Sequence, residues 1–494
     1  MPATKVQQRH WAEVARAAAA VKLRSHPAMR FPLLAPEIRE LLQEGQTQDL
    51  VGVLAEMHPS DAASILGALE LHEIATVMSL LPLEMERDVF NYLDADVQEE
   101  YVQGAGKERV QRVLDSIFSD DRAEFLERLD ERVRNKLFPL LSNAARQDLL
   151  RRGSFADDQV GSFLSTNYAV LNPALTARQA IEELRRQAPS KETIYYSYVL
   201  DRSGKLVGFV SLRDLILAPN EQLVSDIMKT DIVSVSASAD QEEAARVIRD
   251  YDLIALPVVD EGGRLVGIVT HDDAVDIVEE EAQEDFEKMA GVTGHGVEGV
   301  EGDYMAMGVW GQVRRRAPVI CLLAVFWVVT ASVIQGFEHH LKSGSTLLLA
   351  LLPMVMATGG MVGTQASALV IRSLAKGEMG DKHWKKVLWK ELRVSSAIGL
   401  ALAAIAFGDA IVVDWIGGSE VAMSEVTGVG LVVAIAMLGH VLSAALLGAF
   451  TPIAVKLLRG DPAMISTPAV TAIADLTGAT IYLVIVTALL GATA

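Results

Sequence analysis

From residue 463 to 490 the chain reads AMISTPAVTAIADLTGATIYLVIVTALL, an apolar run long enough to cross a bilayer, and its one charge is Asp475. A carboxylate at that depth is costly unless it faces a bundle interior or a water-filled path. Thr471 and Ala472 lie one turn before it, Gly478 and Ala479 one turn after. Asp475 therefore stands on a stripe of small residues, which lets another backbone or a hydrated ion come close. Two readings stay open: a carboxylate on an ion route, or a carboxyl kept protonated by burial or capping a kink near Pro468. Four further apolar spans precede this one, at about 318–337, 347–374, 394–416 and 429–457. The second carries Pro353, Gly359, Gly360 and Gly363, and is expected to break or to pack closely there.

Basic residues flank the spans unevenly. Arg314, Arg315 and Arg316 precede the first; Arg372, Lys376, Lys382, Lys385, Lys386, Lys390 and Arg393 surround the second loop; Lys456 and Arg459 the fourth. The third loop and its edges carry Asp409, Asp414, Glu420 and Glu425 instead. Positive charge collects on the cytoplasmic side, so a multi-pass protein of the plasma (inner) membrane is expected, with its N-terminus cytoplasmic and its C-terminus outside. Of the 44 basic and 64 acidic residues, 10 of each lie beyond residue 317, so the whole net charge of −20 belongs to what precedes. That half has the wrong sign for nucleic acid or anionic lipid. Residues 1–30 lack the apolar core of a secretory signal and read as a helical extension. The single cysteine, Cys321, excludes a disulfide framework and suits a reducing compartment.

From about 33 to 154 the pattern is helical, in short repeated units. MHPSDAASILGAL (57–69), LPLEMERDVFNYL (81–93) and IFSDDRAEFLERL (117–129) share one scheme: an apolar residue, a Pro or acidic start, then an amphipathic helix ending in Leu. Asp61, Asp120 and Asp121 sit where N-caps belong. Such repeats predict an all-α superhelical stack.

After residue 155 the chain duplicates itself. DRSGKLVGFVSLRD (201–214) matches DEGGRLVGIVTHDD (260–273) at a constant offset of 59. Each copy reads as strand, Gly turn, strand and helix, preceded by an amphipathic helix (178–186; 241–250) and an apolar strand (194–200; 254–259). The segment resembles a tandem pair of cystathionine-beta-synthase (CBS) domains, α/β modules that often bind adenine nucleotides. By that resemblance Ser211 with Asp214, and Thr270 with Asp273, contact ribose and phosphate of ATP or another adenine nucleotide; otherwise both pairs only cap their helices. The second copy runs into a helix at 275–291 carrying Asp276, Glu279, Glu280, Glu281, Glu284 and Asp285. Like charges a turn apart weaken a helix. Either a divalent cation compensates them, or the segment is an acidic linker. A Gly-rich joint, GVTGHGVEGVEGD, follows.

The whole order resembles the MgtE-type magnesium transporters and channels: a multidomain chain of an all-α superhelical N-terminal domain, an α/β tandem CBS pair, a long acidic connecting helix and an all-α transmembrane domain of five helices. The expected divisions are 1–154, 155–278, 279–313 and 314–494. LLPMVMATGGMVGTQ, RSLAKGEM, KELRV and DPA…TPAVTAIADLTG carry the likeness. It implies a homodimer with a pore on the two-fold axis, lined by the second and fifth spans. Paired Asp475 carboxylates, with the Thr471 carbonyl nearby, would meet a mostly hydrated Mg²⁺. It also implies closure by cytoplasmic Mg²⁺ at sensor carboxylates: Asp120 and Glu124; Asp252, Asp273 and Asp276; Glu281, Glu284 and Asp285; and Asp461 at the cytoplasmic mouth. Asp461 and Asp475 would lie about 21 Å apart on a continuous helix. The chain departs from the family pattern at Met361, where an Asn is usual, and at Ala474, often polar, which removes an amide from the pore. Alternatives are transport of another divalent cation such as Co²⁺ or Mn²⁺, or a membrane-tethered nucleotide-sensing CBS protein. No phosphate-cradling loop, nucleophile elbow or His-rich metal signature points to an enzyme. His339 and His340 read as residues of the external membrane edge.

Overall fold

The computed structural model describes residues 34–292, 307–337, 346–375, 383–417, 422–458, 460–464 and 467–490. The extension expected over 1–30, the Gly-rich joint, His339, His340, Lys376, Lys382, Glu420 and Arg459 lie outside the described residues. The chain divides into two compact units between Glu279 and Glu280.

The first unit opens with ten helices of seven to ten residues: α1 (Ala35–Gln43), α2 (Thr47–Ala55), α3 (Pro59–Leu66), α4 (Leu71–Leu80), α5 (Leu83–Asn91), α6 (Ala95–Gly104), α7 (Lys107–Ser116), α8 (Ser119–Arg128), α9 (Glu131–Leu137) and α10 (Asn143–Arg152). None this short is stable alone in water. Their inward stripes, such as Leu50 with Leu54, Val77 with Met78 and Val113 with Leu114, share one continuous core. Alternate helices touch, α3 with α5, α4 with α6 and α5 with α7, which is how a solenoid covers its apolar faces. The acidic residues expected as N-caps are not caps. His58 caps α3, accepting from the Ser60 amide, and Phe118 precedes α8 without a side-chain bond. Asp61, Asp120 and Asp121 fall in the first turn, where the helix dipole favours them but where their carboxylates stay available. Inside the stack Arg109 grips the buried Glu86 with two bonds of 2.7 Å, and the Tyr101 hydroxyl donates to the same carboxylate at 2.6 Å.

The duplicated segment forms two matching three-stranded sheets. A short helix α11 (Val160–Phe163) leads into β1 (Tyr168–Leu171), α12 (Ala177–Gln187), β2 (Thr193–Leu200), β3 (Leu206–Ser211), α13 (Leu212–Leu217) and α14 (Val224–Ile227). The second copy is β4 (Val235–Ser236), α15 (Gln241–Tyr251), β5 (Ala255–Val259), β6 (Leu265–Thr270) and α16 (His271–Ala290). In each sheet the outer pair is parallel and the hairpin antiparallel, with Tyr198 opposite Phe209 and Pro257 opposite Ile268. The hairpin turns are alike too. Gly204 and Gly263 take φ of 82° and 75°, a region open to glycine, and the Asp201 and Asp260 carboxylates accept the turn amides. Lys205 bridges to Arg264, joining the two copies edge to edge. The acidic helix expected over 275–291 is α16, which starts at His271, directly after β6, and runs unbroken to Ala290.

The second unit holds five helices long and apolar enough to cross a membrane: α17 (Val309–Gly336), α18 (Thr346–Ala375), α19 (Trp384–Gly417), α20 (Met423–Leu457) and α21 (Thr467–Leu490). The second span does not break; α18 passes through Pro353 and all three glycines. The glycines serve close approach instead. A Cβ on Gly448 of α20 would overlap the Gly363 carbonyl, so the two backbones touch there. The Tyr482 hydroxyl of α21 donates to the Leu348 carbonyl of α18 at 2.7 Å in the buried core. Buried residues run along the whole of α20, whereas α17 turns Leu322, Val325 and Val328 outward, as a lipid-facing helix does. Cys321 is exposed on that same helix.

Candidate functional site

Asp475 sits in the middle of α21, half-buried. On α18 the adjacent Gly360 opens the space in front of it: a Cβ there would lie 3.7 Å from Asp475 Oδ1 and 3.1 Å from Thr471 Cγ2. Thr471 is one turn earlier on α21, its hydroxyl donating to the Thr467 carbonyl at 3.0 Å. Helices α18 and α21, the second and fifth spans, therefore bring Gly360, Thr471 and Asp475 together. Of the two departures from the expected pattern, Met361 is 63% exposed and Ala474 is buried. Pro468 opens α21 in its first turn rather than kinking it.

Asp461 does not share a helix with Asp475. A 3₁₀ turn, Pro462–Met464, intervenes before α21, so the expected continuous path along one helix does not exist. The Asp461 carboxylate accepts from Lys288 Nζ at 2.8 Å, and Lys288 also reaches Glu284 at 2.8 Å. Burial lowers the lysine pKa, but the bonds from Asp461 and Glu284 outweigh it and raise it. Glu287 pairs with Arg315, ahead of the first span. Glu281 and Asp285, also on α16, are half-buried.

The first unit concentrates carboxylates around Ser165, which is fully buried. The Ser165 hydroxyl lies 3.2 Å from Asp120 Oδ1 and 3.4 Å from Glu192 Oε2. One hydroxyl has one proton, so it satisfies one of these acids at a time. Asp121 accepts from Asn91 at 2.6 Å, and Asp273 from the Thr270 amide and hydroxyl at 2.8 and 2.6 Å. Burial, then the charges of Asp273 and Asp121, push the Asp120 carboxyl up to about 8. Burial, then Asp120, Asp121 and Asp273, push Glu192 up to about 10. Asp121 rises to about 6 by burial and by Glu124 and Asp273. Burial also raises Asp273, and partial burial with Asp272 and Glu279 raises Asp276. Glu124 is paired with Arg128 at 2.9 Å. Asp252 stands apart, exposed at the C-cap of α15 with a φ of 51°.

Among the described residues, no three of these side chains converge at metal-ligand distance. Mg²⁺ does not require that, since it keeps several waters and takes one or two carboxylates. Two raised acids beside one hydroxyl, with further carboxylates around them, suit a hydrated cation that displaces a proton on binding. Glu192 and Lys288 were not singled out in the sequence. Glu192 precedes a strand with no periodic or motif signal, and Lys288 is the one basic residue between 275 and 291.

The CBS helix starts are capped internally. The Ser211 hydroxyl accepts from the Asp214 amide at 3.0 Å, and Asp214 pairs with Lys229 at 3.0 Å. The Ser211 bond, ahead of Lys229, holds the Asp214 carboxyl below its usual range.

Comparison with known proteins agrees with this layout. Residues 352–485 match the family model MgtE, divalent cation transporter; 57–158 match the MgtE intracellular N domain; 160–221 and 224–280 each match the CBS domain. The magnesium transporter MgtE of Thermus thermophilus is 36% identical over 462 residues, covering 93% of this chain and 99% of that protein. The magnesium transporter MgtE of Bacillus subtilis is 32% identical over 460 residues, covering 93% and 98%. A crystal structure of the cytosolic domain of the Mg²⁺ channel MgtE in complex with ATP is 38% identical, covering 49% of this chain and 100% of that one with a TM-score of 0.45. These relatives are transport proteins rather than enzymes, and with five membrane-length helices the chain is a multi-pass member of the MgtE family of divalent cation transporters.

Proposed function

We propose that this chain imports Mg²⁺ across the plasma membrane and closes its path when cytoplasmic Mg²⁺ is high. The observation that carries the reading is Asp475, a carboxylate at membrane depth facing the clearing left by Gly360 beside Thr471. A carboxylate with small neighbours supplies charge to a hydrated divalent ion without demanding its full dehydration. Two chains pair so that their Asp475 residues face each other across a two-fold axis, with the Thr471 carbonyls nearby. The uneven basic flanks favour a cytoplasmic first unit and an outward C-terminus. The chain works as an N-terminal helical domain to about 154, a CBS pair to about 278, a connecting helix and joint to about 313, and the membrane domain beyond.

The cytoplasmic sensor centres on Asp120, Asp273 and Asp276, with Asp121, Glu124 and Glu192 around them; Asp252, Glu281, Glu284 and Asp285 complete the acidic set. A cation there removes the repulsion that otherwise raises these acids, and the compact arrangement becomes the favoured one. Helix α16 carries Asp273 near its start and Lys288, bonded to Asp461, near its end. At the CBS helix starts, Ser211 with Asp214 and Thr270 with Asp273 are placed to meet ATP or another adenine nucleotide once their internal caps yield.

The test is Mg²⁺ uptake into proteoliposomes by wild type and Asp475→Ala, at low and high Mg²⁺ on the sensor side. Uptake that needs Asp475 and falls at high sensor-side Mg²⁺ supports path and feedback together. Uptake indifferent to Asp475 moves the path elsewhere, and none at all favours a tethered nucleotide sensor. Competition by Co²⁺ and Mn²⁺ in the same vesicles establishes the preferred ion.

A further inference from the structure

His440 lies in the interior of α20, fully buried, and the reading of the ion path leaves it without a role. Both ring nitrogens are buried and make no hydrogen bond that meets distance and angle criteria. What the ring does have is two glycines. A Cβ on Gly359 of α18 would fall within the imidazole itself, and a Cβ on Gly478 of α21 would lie 2.5 Å from Nε2 and 2.8 Å from Nδ1. The ring fills the space that two ordinary side chains would occupy, and glycine backbone covers its nitrogens. No room is left there for a metal ion, so the imidazole acts by shape.

The two glycines are not arbitrary points. Gly359 is the neighbour of Gly360, which clears the space before Asp475 Oδ1 and Thr471 Cγ2. Gly478 is one turn beyond Asp475 on the same helix. The wedge thus bears on both walls of the candidate path within a turn of the carboxylate. Packed interiors pass a displacement on rather than absorbing it. At the other end of the pair the Tyr482–Leu348 bond fixes α21 to α18, so a change at the wedge shows as a tilt at Asp475.

We infer that His440 is a positioning residue that sets the spacing of α18 and α21, and with it which divalent cations the Asp475 site admits. The inference rests on the reading that ions pass Asp475. A narrower or wider clearing discriminates among Mg²⁺, Mn²⁺ and Ca²⁺, which differ in size and in how readily they shed water.

The experiment is uptake of Mg²⁺, Mn²⁺ and Ca²⁺ by the full chain in proteoliposomes, comparing wild type, Asp475→Asn, His440→Ala, Gly359→Ala and the double variant His440→Ala with Gly359→Ala. His440→Ala is expected to shift the Mn²⁺-to-Mg²⁺ uptake ratio by about fivefold or more, with the change in KM rather than in maximal rate. Gly359→Ala alone should abolish uptake, and the double variant should recover it, because the added methyl enters the volume the ring has left. A wild-type ratio and KM in His440→Ala, or a Gly359→Ala defect that persists without His440, overturns the inference. Wild-type uptake by Asp475→Asn instead overturns the path reading beneath it. Should His440→Ala not survive purification, the melting temperatures of Gly359→Ala and the double variant decide. A more stable double variant upholds the contact, and an equally unstable one removes it.

Discussion

Acid should weaken Mg²⁺ sensing through competition for one carboxylate, and the size of the effect can be worked out. Burial and the charges of Asp273 and Asp121 place the Asp120 carboxyl at about 8. A cation binds the ionised form, so below that value each bound ion must displace a proton. For Asp120 alone the protonated form exceeds the ionised one by about tenfold at pH 7 and about a hundredfold at pH 6. The apparent Mg²⁺ dissociation constant should therefore rise roughly tenfold per unit below pH 8 and level off above it. Glu192, at about 10, keeps its proton through this window, and Asp121, at about 6, steepens the curve only at its acid end. The assay is Mg²⁺-dependent protection of the purified full chain from limited proteolysis, with midpoints taken at pH 6, 7 and 8. Calorimetry in two buffers of different ionisation enthalpy should count about one proton released per ion near pH 7. Asp120→Asn should flatten the pH dependence and weaken the midpoint. A midpoint that does not move between pH 6 and 8 in the wild type refutes the argument. The same shifts fix a sign for stability. Acids raised in the folded state hold more protons folded than unfolded, so without Mg²⁺ the first unit should lose stability as pH rises from about 4 through about 10, and Mg²⁺ should offset the loss.

Three other perturbations follow from the geometry. Arg109→Ala leaves Glu86, 3% exposed, without its two guanidinium bonds and should cost about 3–5 kcal/mol in denaturant unfolding of the helical stack; a loss near zero would mean water replaces the arginine. Gly267→Ala puts a methyl 2.8 Å from the Ser165 carbonyl and into Leu164, so it should destabilise the second sheet by about 1–3 kcal/mol and weaken Mg²⁺ protection with it; unchanged protection would detach Ser165 from sensing. Lys288→Met leaves Glu284 and Asp461 facing each other without their shared cation, and uptake should then persist at Mg²⁺ levels that silence the wild type; normal suppression would show that this contact does not hold the closed state.

The sequence disclosed most of the architecture because each level has its own period. The offset of 59 between residues 201–214 and 260–273 becomes two sheets with matching turns at Gly204 and Gly263, and the five apolar runs become five helices. The failures share a cause. Asp61, Asp120 and Asp121 looked like caps because an acidic residue near a helix start suits both the cap and the first turn, and only the backbone of His58 and Phe118 separates the two. Pro353 looked like a break because proline removes a helical bond in water, whereas inside a packed bundle α18 runs through it. Glu192 and Ser165 come to Asp120 from distant parts of the chain, and no local pattern encodes that meeting. His440 was not singled out in the sequence, because its two glycine partners lie on other helices and no local pattern marks their meeting.

Two sets of carboxylates in this chain differ in how far its own cations compensate them, and on the proposed sensing that difference decides where free Mg²⁺ acts. Asp461 and Glu284 already share an internal cation, Lys288, and Glu287 has Arg315. Glu287 is matched one to one, and Glu284 and Asp461 share a single cation, so these acids are already partly compensated without Mg²⁺. Asp120, Asp121, Glu192 and Asp273 make no ion pair among the described residues; Arg152, which lowers Asp120 from a distance, is engaged by Asp148 and by the carbonyls of Ser162 and Leu164. Their pKa values are raised together, which means that the folded arrangement carries unbalanced repulsion that a proton or a cation must relieve. That second set, compensated least, has the most free energy to exchange with dissolved Mg²⁺. A sensor built this way needs no preformed cage of ligands, and its response should follow the charge of the ion more than its coordination geometry. Ca²⁺ should therefore protect the first unit nearly as well as Mg²⁺, even where the path beside Asp475 tells the two ions apart. Protection by Mg²⁺ with none by Ca²⁺ would mean that the carboxylates close into a specific binding site after all.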